Sequence, residues 1–73
     1  MFLSDLNENQ LGVISDFKFE KNFENRLKDM GFCKGEEVKC VKKAVFHSPI
    51  LYFVKGANVA LRKSDACRIE VIQ

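Results

Sequence analysis

The chain has 73 residues, of which 47% are hydrophobic and 30% are charged, a composition typical of a folded globular protein rather than a disordered one. This length fits a single domain, residues 1–73, near the lower size limit for a chain that forms its own core. The longest nearly apolar run, Ile50–Val54, is far shorter than a membrane span, and the first residues lack the pattern of a secretory signal. We therefore predict a cytoplasmic protein.

The net charge of +2 is unevenly distributed along the chain. Residues 1–37 carry five basic and eight acidic side chains, a net charge of −3, whereas residues 38–73 carry seven basic and two acidic ones, a net charge of +5. A basic half favours an acidic protein surface, anionic lipid or nucleic acid as partner. Ordinary solvation of exposed strands explains the same charge, so charge alone identifies no partner.

The first half of the chain predicts one strand followed by one helix. A polar, turn-rich segment precedes a strand over residues 12–17. Asn22 is a good N-cap for a helix that runs to Met30. Phe23, Leu27 and Met30 follow at i, i+4 and i+7, which predicts one apolar stripe facing the core.

Two glycines after this helix predict how the chain leaves it. Gly31 lies where a helix end requires left-handed backbone, a conformation that is inexpensive only without a Cβ. Phe32 and Leu27 then occupy the two positions whose apolar contact accompanies a Schellman helix stop. Gly35 turns the chain again before the next strand.

The second half reads as mostly β. Strands are predicted at 38–46, 50–54, 59–61 and 69–71, with a turn at 47–49, a hairpin turn at 55–58 that contains Gly56, and a single helical turn within 62–67. Five short strands in so small a chain favour a compact barrel that leaves no free edges. The expected core contains six side chains: Leu27, Met30, Val38, Cys40, Phe53 and Ile69.

The ordered series of these elements resembles the FeoA family, the small proteins of bacterial ferrous iron transport. The resemblance covers about residues 3–71, and the family usually has glycine where Asn9 falls. It is carried by Leu3, Leu6, Gly12, Ile14, Arg26, Leu27, Met30, Gly31, Phe32, Gly35, Pro49, Gly56, Ala60, Leu61, Arg62, Ala66 and Ile69. The resemblance implies a mostly β fold, a small SH3-like β-barrel with one short α-helix inserted after the first strand.

Residues for catalysis or for a cofactor are not apparent in the sequence. His47 is the single histidine, so an iron site of two histidines and a carboxylate cannot form within one chain. Cys33, Cys40 and Cys67 form no C-x2-C pair, and Cys40 lies in an apolar alternation that predicts burial. The four glycines form no phosphate-binding loop. We predict no enzyme activity, no cofactor and no metal site; a weak or transient contact of Fe²⁺ with His47, a cysteine or carboxylates stays open.

The resemblance implies an accessory protein of ferrous iron uptake whose partner is FeoB, the membrane transporter with a GTP-binding cytoplasmic part. We expect docking on that part, without turnover by this chain and without insertion into the membrane. The candidate interface combines an aromatic residue and a proline in a loop with nearby basic side chains: Lys42, Lys43, Phe46, His47, Pro49, Arg62 and Lys63. The competing interpretation is that Phe46 points into the core and the lysines only solubilise the protein.

A second hypothesis comes from another functional class. The same SH3-like module resembles the C-terminal domain of iron-dependent repressors, which would make the chain a regulatory module associated with a nucleic-acid-bound complex. Aromatic residues do not alternate with Arg or Lys as they do on nucleic-acid stacking platforms, and the sequence predicts no recognition helix. We therefore expect no nucleic acid, and leave open weak self-association and the role of Cys33.

Overall fold

The computed structural model describes residues 1–18, 20–43 and 49–73. One α-helix follows the first strand, as predicted, and the single helical turn before the last strand is also present. The elements in chain order are a 3₁₀ turn (Leu3–Asp5), β1 (Leu11–Phe17), α1 (Lys21–Asp29), β2 (Glu37–Lys42), β3 (Ile50–Val54), β4 (Ala57–Leu61), α2 (Lys63–Ala66) and β5 (Ile69–Ile72). The predicted extension of β2 through Phe46 and the turn at His47 lie outside the described residues.

The five strands form one antiparallel sheet in the order β4-β3-β2-β1-β5. Hydrogen bonds between the described strands do not join β4 to β5, so the expectation of a barrel without free edges is wrong in this respect. The N-terminal segment covers part of the open edge of β5 instead. Phe2 forms a bridge with Glu70, and the Val71 N–H donates to the Met1 carbonyl oxygen at 2.8 Å.

A two-residue turn joins β3 to β4. Lys55 and Gly56 both have positive φ, 50° and 76°, and Val54 pairs directly with Ala57. Two consecutive residues of positive φ match the right-handed twist of the flanking strands. The turn is therefore tighter than the predicted 55–58, and β4 begins at Ala57 rather than at Val59.

Helix α1 begins earlier than its N-cap signal predicts. The N-cap is Glu20, whose side chain makes no capping hydrogen bond, while Asn22 lies in the first turn. The Glu20 carbonyl oxygen accepts the first helical bonds, from the N–H groups of Phe23 and Glu24. Phe23, in this first turn, is buried, and its ring meets the ring of Phe17 edge-on at 6.4 Å.

The end of α1 is the Schellman stop that the sequence predicts. Gly31 has a φ of 101°. Its N–H donates to the Lys28 carbonyl oxygen at 3.0 Å, and the Phe32 N–H donates to the Leu27 carbonyl oxygen at 3.0 Å. Leu27 and Phe32 are both buried, and Phe32 packs edge-on against Tyr52 at 6.2 Å. The helix stop thus ties α1 directly to the centre of β3.

Four of the six side chains predicted for the core are buried, namely Leu27, Val38, Cys40 and Ile69. Met30 and Phe53 are not: their exposed fractions are 37% and 44%. Met30 is the C-cap of α1, where the chain already turns away from the helix. Phe53 lies on β3 between two buried residues, so the strand alternation directs it away from the core.

The N-terminal segment packs against the centre of β3 and the end of β2. The Tyr52 hydroxyl donates to the Leu3 carbonyl oxygen at 3.2 Å, and the Lys43 ammonium group donates to the Ser4 carbonyl oxygen at 2.8 Å. Asn9 has a φ of 71°, and its N–H donates to the Cys40 carbonyl oxygen at 2.7 Å. Asn tolerates left-handed backbone better than most residues, so it fits a position where the family usually has glycine.

Candidate interaction surface

An apolar row crosses the sheet on the side that faces away from the core. Leu11 of β1 pairs with Lys39 of β2, which pairs with Phe53 of β3. Directly paired residues point to the same face of a sheet. Leu11 is 48% exposed and Phe53 44% exposed, with the half-buried Lys39 between them. Two large apolar side chains therefore lie two strands apart, or about 10 Å, on the solvent side.

Two further rows extend this surface. Val13 of β1 pairs with Ile72 of β5, which is 60% exposed. Leu51 of β3 is half-buried and lies two residues from Phe53, so it shares the same face. We call the apolar set Leu11, Val13, Leu51, Phe53 and Ile72 the outer face.

The basic residues of the predicted interface gather at one end of the sheet. Lys42 ends β2, Pro49 immediately precedes β3, and Arg62 immediately follows β4. Because β2, β3 and β4 are antiparallel neighbours, these three positions lie at the same end. All three residues are exposed, as is Lys63 at the start of α2. We call Lys42, Pro49, Arg62 and Lys63 the basic end; Phe46 and His47 lie outside the described residues.

Lys43, also assigned to the interface from sequence, is engaged within the chain. Its ammonium group donates to the Ser4 carbonyl oxygen, and its backbone N–H donates to the Glu8 carboxylate at 2.9 Å. The side chain is half-buried. Lys43 therefore anchors the N-terminal segment, and a charge reversal there would disturb folding as well as docking.

The cysteines differ in environment but form no cluster. Cys40 is buried, and desolvation raises the pKa of its thiol, as expected of a core cysteine. Cys33 is half-buried and Cys67 is exposed. Across residues 1–18, 20–43 and 49–73, no group of three or more His, Cys, Asp or Glu side chains is arranged to hold a metal ion.

The core of the described part of the chain contains no charged side chain. Its one hydroxyl, on Tyr52, donates to the Leu3 carbonyl oxygen, and burial raises the pKa of that hydroxyl. Each buried side-chain nitrogen or oxygen among the described residues has a hydrogen-bond partner. The Tyr52 hydroxyl is therefore a structural polar group within the part of the core that is described.

Ion pairs near the end of β1 lie in solvent. Lys18 and Glu70 are 3.0 Å apart, and the hydrogen bond to Glu70 raises the pKa of Lys18. The Phe17 N–H donates to the Asp16 carboxylate at 2.8 Å and lowers its pKa, with a smaller contribution from Lys34. Exposed pairs of this kind contribute little to stability, and nothing in their geometry indicates a site.

Sequence reasoning placed the candidate interface around the basic end, and it did not predict that an apolar outer face is exposed. Of the residues that form it, Phe53 was assigned to the core because Ile50–Val54 is apolar at every position. Side chains alternate between the two faces of a strand, so Phe53 must point away from Tyr52 and Val54. In a segment that is apolar throughout, this alternation does not show which of the two groups faces the core. The other structural residues of the predicted pattern lie as expected, with Leu61 buried and Gly35 and Gly56 at positive φ.

The described residues define a small, mostly β domain, in which apolar and basic side chains are exposed on a sheet whose other face forms an apolar core. Neither helix of the described residues is long and apolar enough to cross a membrane. The family model of the FeoA domain matches residues 1–73. The chain belongs to the FeoA domain family, and the resemblance inferred from sequence is confirmed.

Three similar proteins illustrate this membership. The chain is 35% identical over 71 residues to a Fe(2+) transport protein A/Fe(2+) transporter FeoB fusion protein of Porphyromonas gingivalis, a match that covers 97% of this chain and 8% of the fusion protein. It is 30% identical to a putative Fe(2+) transport protein A of Campylobacter jejuni, covering 97% of this chain and 96% of that protein.

The third is a solved structure, Stenotrophomonas maltophilia FeoA complexed with zinc, which is described as a prokaryotic SH3 domain protein. The TM-score is 0.81 at 37% sequence identity, and the match covers 97% of this chain and 88% of the other. The SH3-like fold predicted from sequence is thereby confirmed, although the described strands do not close by hydrogen bonds.

Proposed function

We propose that this chain is a cytoplasmic accessory protein of ferrous iron uptake that docks on the cytoplasmic part of FeoB and acts by binding, without turnover. The observation that carries this proposal is the P. gingivalis relative, whose name joins a transport protein A and a FeoB transporter in one fusion protein. Domains joined in one chain are held at high effective concentration. A separate chain must obtain the same association through an interface.

The outer face has the composition of such an interface. Interface cores are enriched in aromatic and large apolar residues, and a few of these provide most of the binding energy. Phe53 lies on a strand between two hydrogen-bonded neighbours, β2 and β4, so little backbone ordering is needed when it is covered. We therefore assign Phe53 as the anchor, with Leu51 two residues away on the same strand and Leu11 two strands away on the same face.

The basic end provides the matching rim. Lys42 pairs directly with Leu51, so the cationic positions are continuous with the outer face. Charged rims direct encounter and orientation more than they strengthen affinity. The proposed partner surface is accordingly an apolar patch bordered by carboxylates, and the basic half of this chain is the part that meets it.

Binding to the isolated cytoplasmic part of FeoB from the same organism tests the proposal. We expect Phe53→Ser to weaken binding by about tenfold or more, because an anchor residue is removed. Met30→Ser is the matched control: Met30 is similarly exposed but lies at the helix end. Lys42→Glu with Arg62→Glu tests the rim without the folding effects expected at Lys43, and Cys33→Ser is expected to bind like wild type.

Two absences that the proposal requires are tested on the isolated chain. We expect no GTP hydrolysis, because the sequence has no phosphate-binding loop. We also expect no tight ferrous iron site, since stable sites use several converging ligands. Anaerobic calorimetry that finds a stoichiometric iron site, removed by His47→Ala, would contradict the second expectation. Because the S. maltophilia relative was solved as a zinc complex, zinc is the second metal to titrate.

The alternative, an iron-linked regulatory module associated with a nucleic-acid-bound complex, makes an opposite prediction. It requires soluble DNA or a DNA-bound protein to retain the chain from a native extract. We expect the membrane fraction to retain it instead, with no loss when soluble DNA is added as a competitor.

A further inference from the structure

The two edges of the sheet differ in what covers them. Edge strand β5 is partly covered, because Phe2 bridges to Glu70 and the Val71 N–H donates to the Met1 carbonyl oxygen. At the other edge, no described strand lies beyond β4, Ala57–Leu61. An exposed edge strand can pair with an additional strand, and proteins usually cover or block such edges for this reason. The free edge of β4 is therefore a candidate docking site.

Strand β4 has none of the features that normally block an edge. Its sequence, Ala-Asn-Val-Ala-Leu, contains no Lys, Arg or Pro. Its register with β3 is regular from Ala57 to Leu61, without a bulge. Charged residues, proline and bulges are the usual means of preventing edge pairing. With five residues the strand is about 17 Å long, which is enough to pair with a strand of ordinary length.

The hydrogen-bond pattern of the β3–β4 hairpin shows which backbone groups face the free edge. The residues that flank a two-residue turn, here Val54 and Ala57, form a hydrogen-bonded pair, and such pairs alternate along an antiparallel ladder. Val59 therefore bonds to β3, whereas Asn58 and Ala60 direct their N–H and carbonyl groups away from the sheet. Both of these residues are exposed, and their side chains are small. The edge thus presents two backbone donors and two backbone acceptors.

The free edge is continuous with the outer face. Asn58 pairs with Phe53, and Ala60 pairs with Leu51, so the small side chains lie on the same face as the large apolar ones. On the inner face, Val59 packs against the core but is only half-buried. An added strand would cover Val59 with one set of alternating side chains and extend the outer face with the other. Apolar side chains on both faces therefore suit the added strand.

The charges at the ends of β4 indicate which kind of strand fits. Arg62 and Lys63 follow β4; both are exposed, and neither forms an ion pair within the described part of the chain. Lys55, before β4, lies 3.8 Å from Glu36. A second copy paired antiparallel with β4 through Val59 would bring Lys55 and Lys63 of the two chains together, and like charges repel. A strand with carboxylates at the Arg62 end is complementary instead.

We propose that the free edge of β4 accepts an extended segment of a partner protein by β-strand addition, with carboxylates preceding a stretch of β-branched, mostly apolar residues. In this mode of recognition the main-chain hydrogen bonds provide affinity and the side chains provide specificity. A segment antiparallel to β4 begins beside the end of β4, so its leading carboxylates meet Arg62 and Lys63. The occupant is defined by its backbone and charge, so this site is independent of the proposed docking on FeoB.

Nuclear magnetic resonance of the full chain tests the edge directly. The probe is a capped peptide of two glutamates followed by Thr-Val-Ile-Val-Thr, and the readout is hydrogen exchange at the Asn58 and Ala60 amides. In the free chain we expect these two amides to exchange much faster than the Val59 amide, which bonds to β3. At a free peptide concentration of ten times the Kd, we expect exchange at Asn58 and Ala60 to slow by about tenfold.

Removal of backbone donors separates strand addition from side-chain contact. A peptide methylated at every backbone nitrogen of its five-residue stretch is expected to bind about tenfold or more weakly, the effect of losing several hydrogen bonds. In the chain, Ala60→Pro removes an outward N–H while leaving the bonds to β3, and we expect a similar loss. Asn58→Ala is the matched control, because it retains the backbone donor and should bind like wild type.

Reversal and removal of charge test the orientation of the added strand. A peptide with the two glutamates after the stretch is expected to bind about two- to fivefold more weakly, the effect of losing exposed ion pairs. Arg62→Gln with Lys63→Gln is expected to weaken binding of the original peptide by the same factor. Lys21→Gln with Arg26→Gln removes equal charge from exposed positions of α1 and is expected to weaken it less.

Three results would overturn the proposal. Equal binding of the methylated and unmethylated peptides would show that the contact is not strand addition, whether or not Ala60→Pro folds. Equal losses in the two double variants would show that the peptide follows net charge. Slow exchange at Asn58 and Ala60 in the free chain would show that the edge is already covered, by a second copy if dilution restores fast exchange.

Discussion

The inner and outer faces of the same sheet differ in what holds their apolar side chains. On β3, Tyr52 is fully buried while its neighbour Phe53 is 44% exposed. On the inner face Tyr52 meets Phe32 and donates a hydrogen bond to the N-terminal segment. Among the described elements the outer face has no covering helix or strand. Two aromatic residues one position apart therefore lie in different environments: Tyr52 packs in the core, and Phe53 is exposed on the outer face.

This difference shows that apolar composition alone does not define a core. A single layer of helix and N-terminal segment can cover only one side of a sheet. Single apolar residues are common on the other side, whereas a large contiguous apolar patch there is typical of a surface that binds another molecule. The contrast predicts that substitutions on the inner face change stability and those on the outer face change binding.

The largest expected effect on stability is at Leu27. Leu27→Ala removes a fully buried side chain and is expected to lower the free energy of unfolding by about 2–5 kcal/mol, a large share of the total for so small a domain. Phe53→Ala on the outer face is expected to cost less than about 1 kcal/mol. Denaturant midpoints measure both, and equal losses would remove the distinction between the faces.

A smaller loss is expected where the helix ends. A Cβ at Gly31 would lie 3.6 Å from the nearest atom of Val54, an ordinary contact, so the penalty of Gly31→Ala comes from the φ of 101° alone. We expect a loss of about 1 kcal/mol or more. Gly31→Asn is the control and should lose less, since Asn tolerates left-handed backbone better. An unchanged melting temperature for the alanine variant would contradict this view of the helix stop.

Stability should also fall at alkaline pH. Burial raises the pKa of Tyr52 above its ordinary 10.0 and that of Cys40 above its ordinary 9.0. The unfolded chain therefore loses these protons first as pH rises, so the stabilisation is complete below about pH 9 and declines above it, by up to about 1.4 kcal/mol per pH unit for each group.

Tyr52→Phe provides the comparison for this pH dependence. The variant should be less stable than wild type at neutral pH by about 0.5–1 kcal/mol, at the low end because the Leu3 carbonyl oxygen also accepts the Leu6 N–H. Above pH 10 its denaturant midpoint should fall less steeply than that of wild type. Parallel curves for the two proteins would show that Tyr52 does not carry the alkaline loss.

The local features of this fold were predictable from sequence to different degrees. The Schellman stop follows from one glycine and two apolar residues within six positions, because helix ends are set by local backbone geometry. The start of α1 was misplaced by two residues because its N-cap, Glu20, makes no capping side-chain bond that the sequence could have indicated. The sequence analysis predicted a barrel without free edges, whereas Met1 and Phe2 cover part of the open edge of β5. This contact was not predictable because it joins the two ends of the chain.

The candidate surface was less predictable, for a related reason. The positions at the basic end could be grouped from sequence because they flank predicted strands. The row of Leu11, Lys39 and Phe53 depends on the register among three strands, which residue types do not specify. The internal role of Lys43 likewise depends on a contact with a residue 39 positions away.

Binding to the cytoplasmic part of FeoB, measured for wild type, Phe53→Ser and Met30→Ser at equal and verified folding, tests the central claim most directly. The proposed account predicts that wild type and Met30→Ser bind alike, and that Phe53→Ser binds about tenfold or more weakly. Binding of all three proteins with one affinity would contradict docking through the outer face, and failure of the wild-type chain to bind would contradict the proposed function itself.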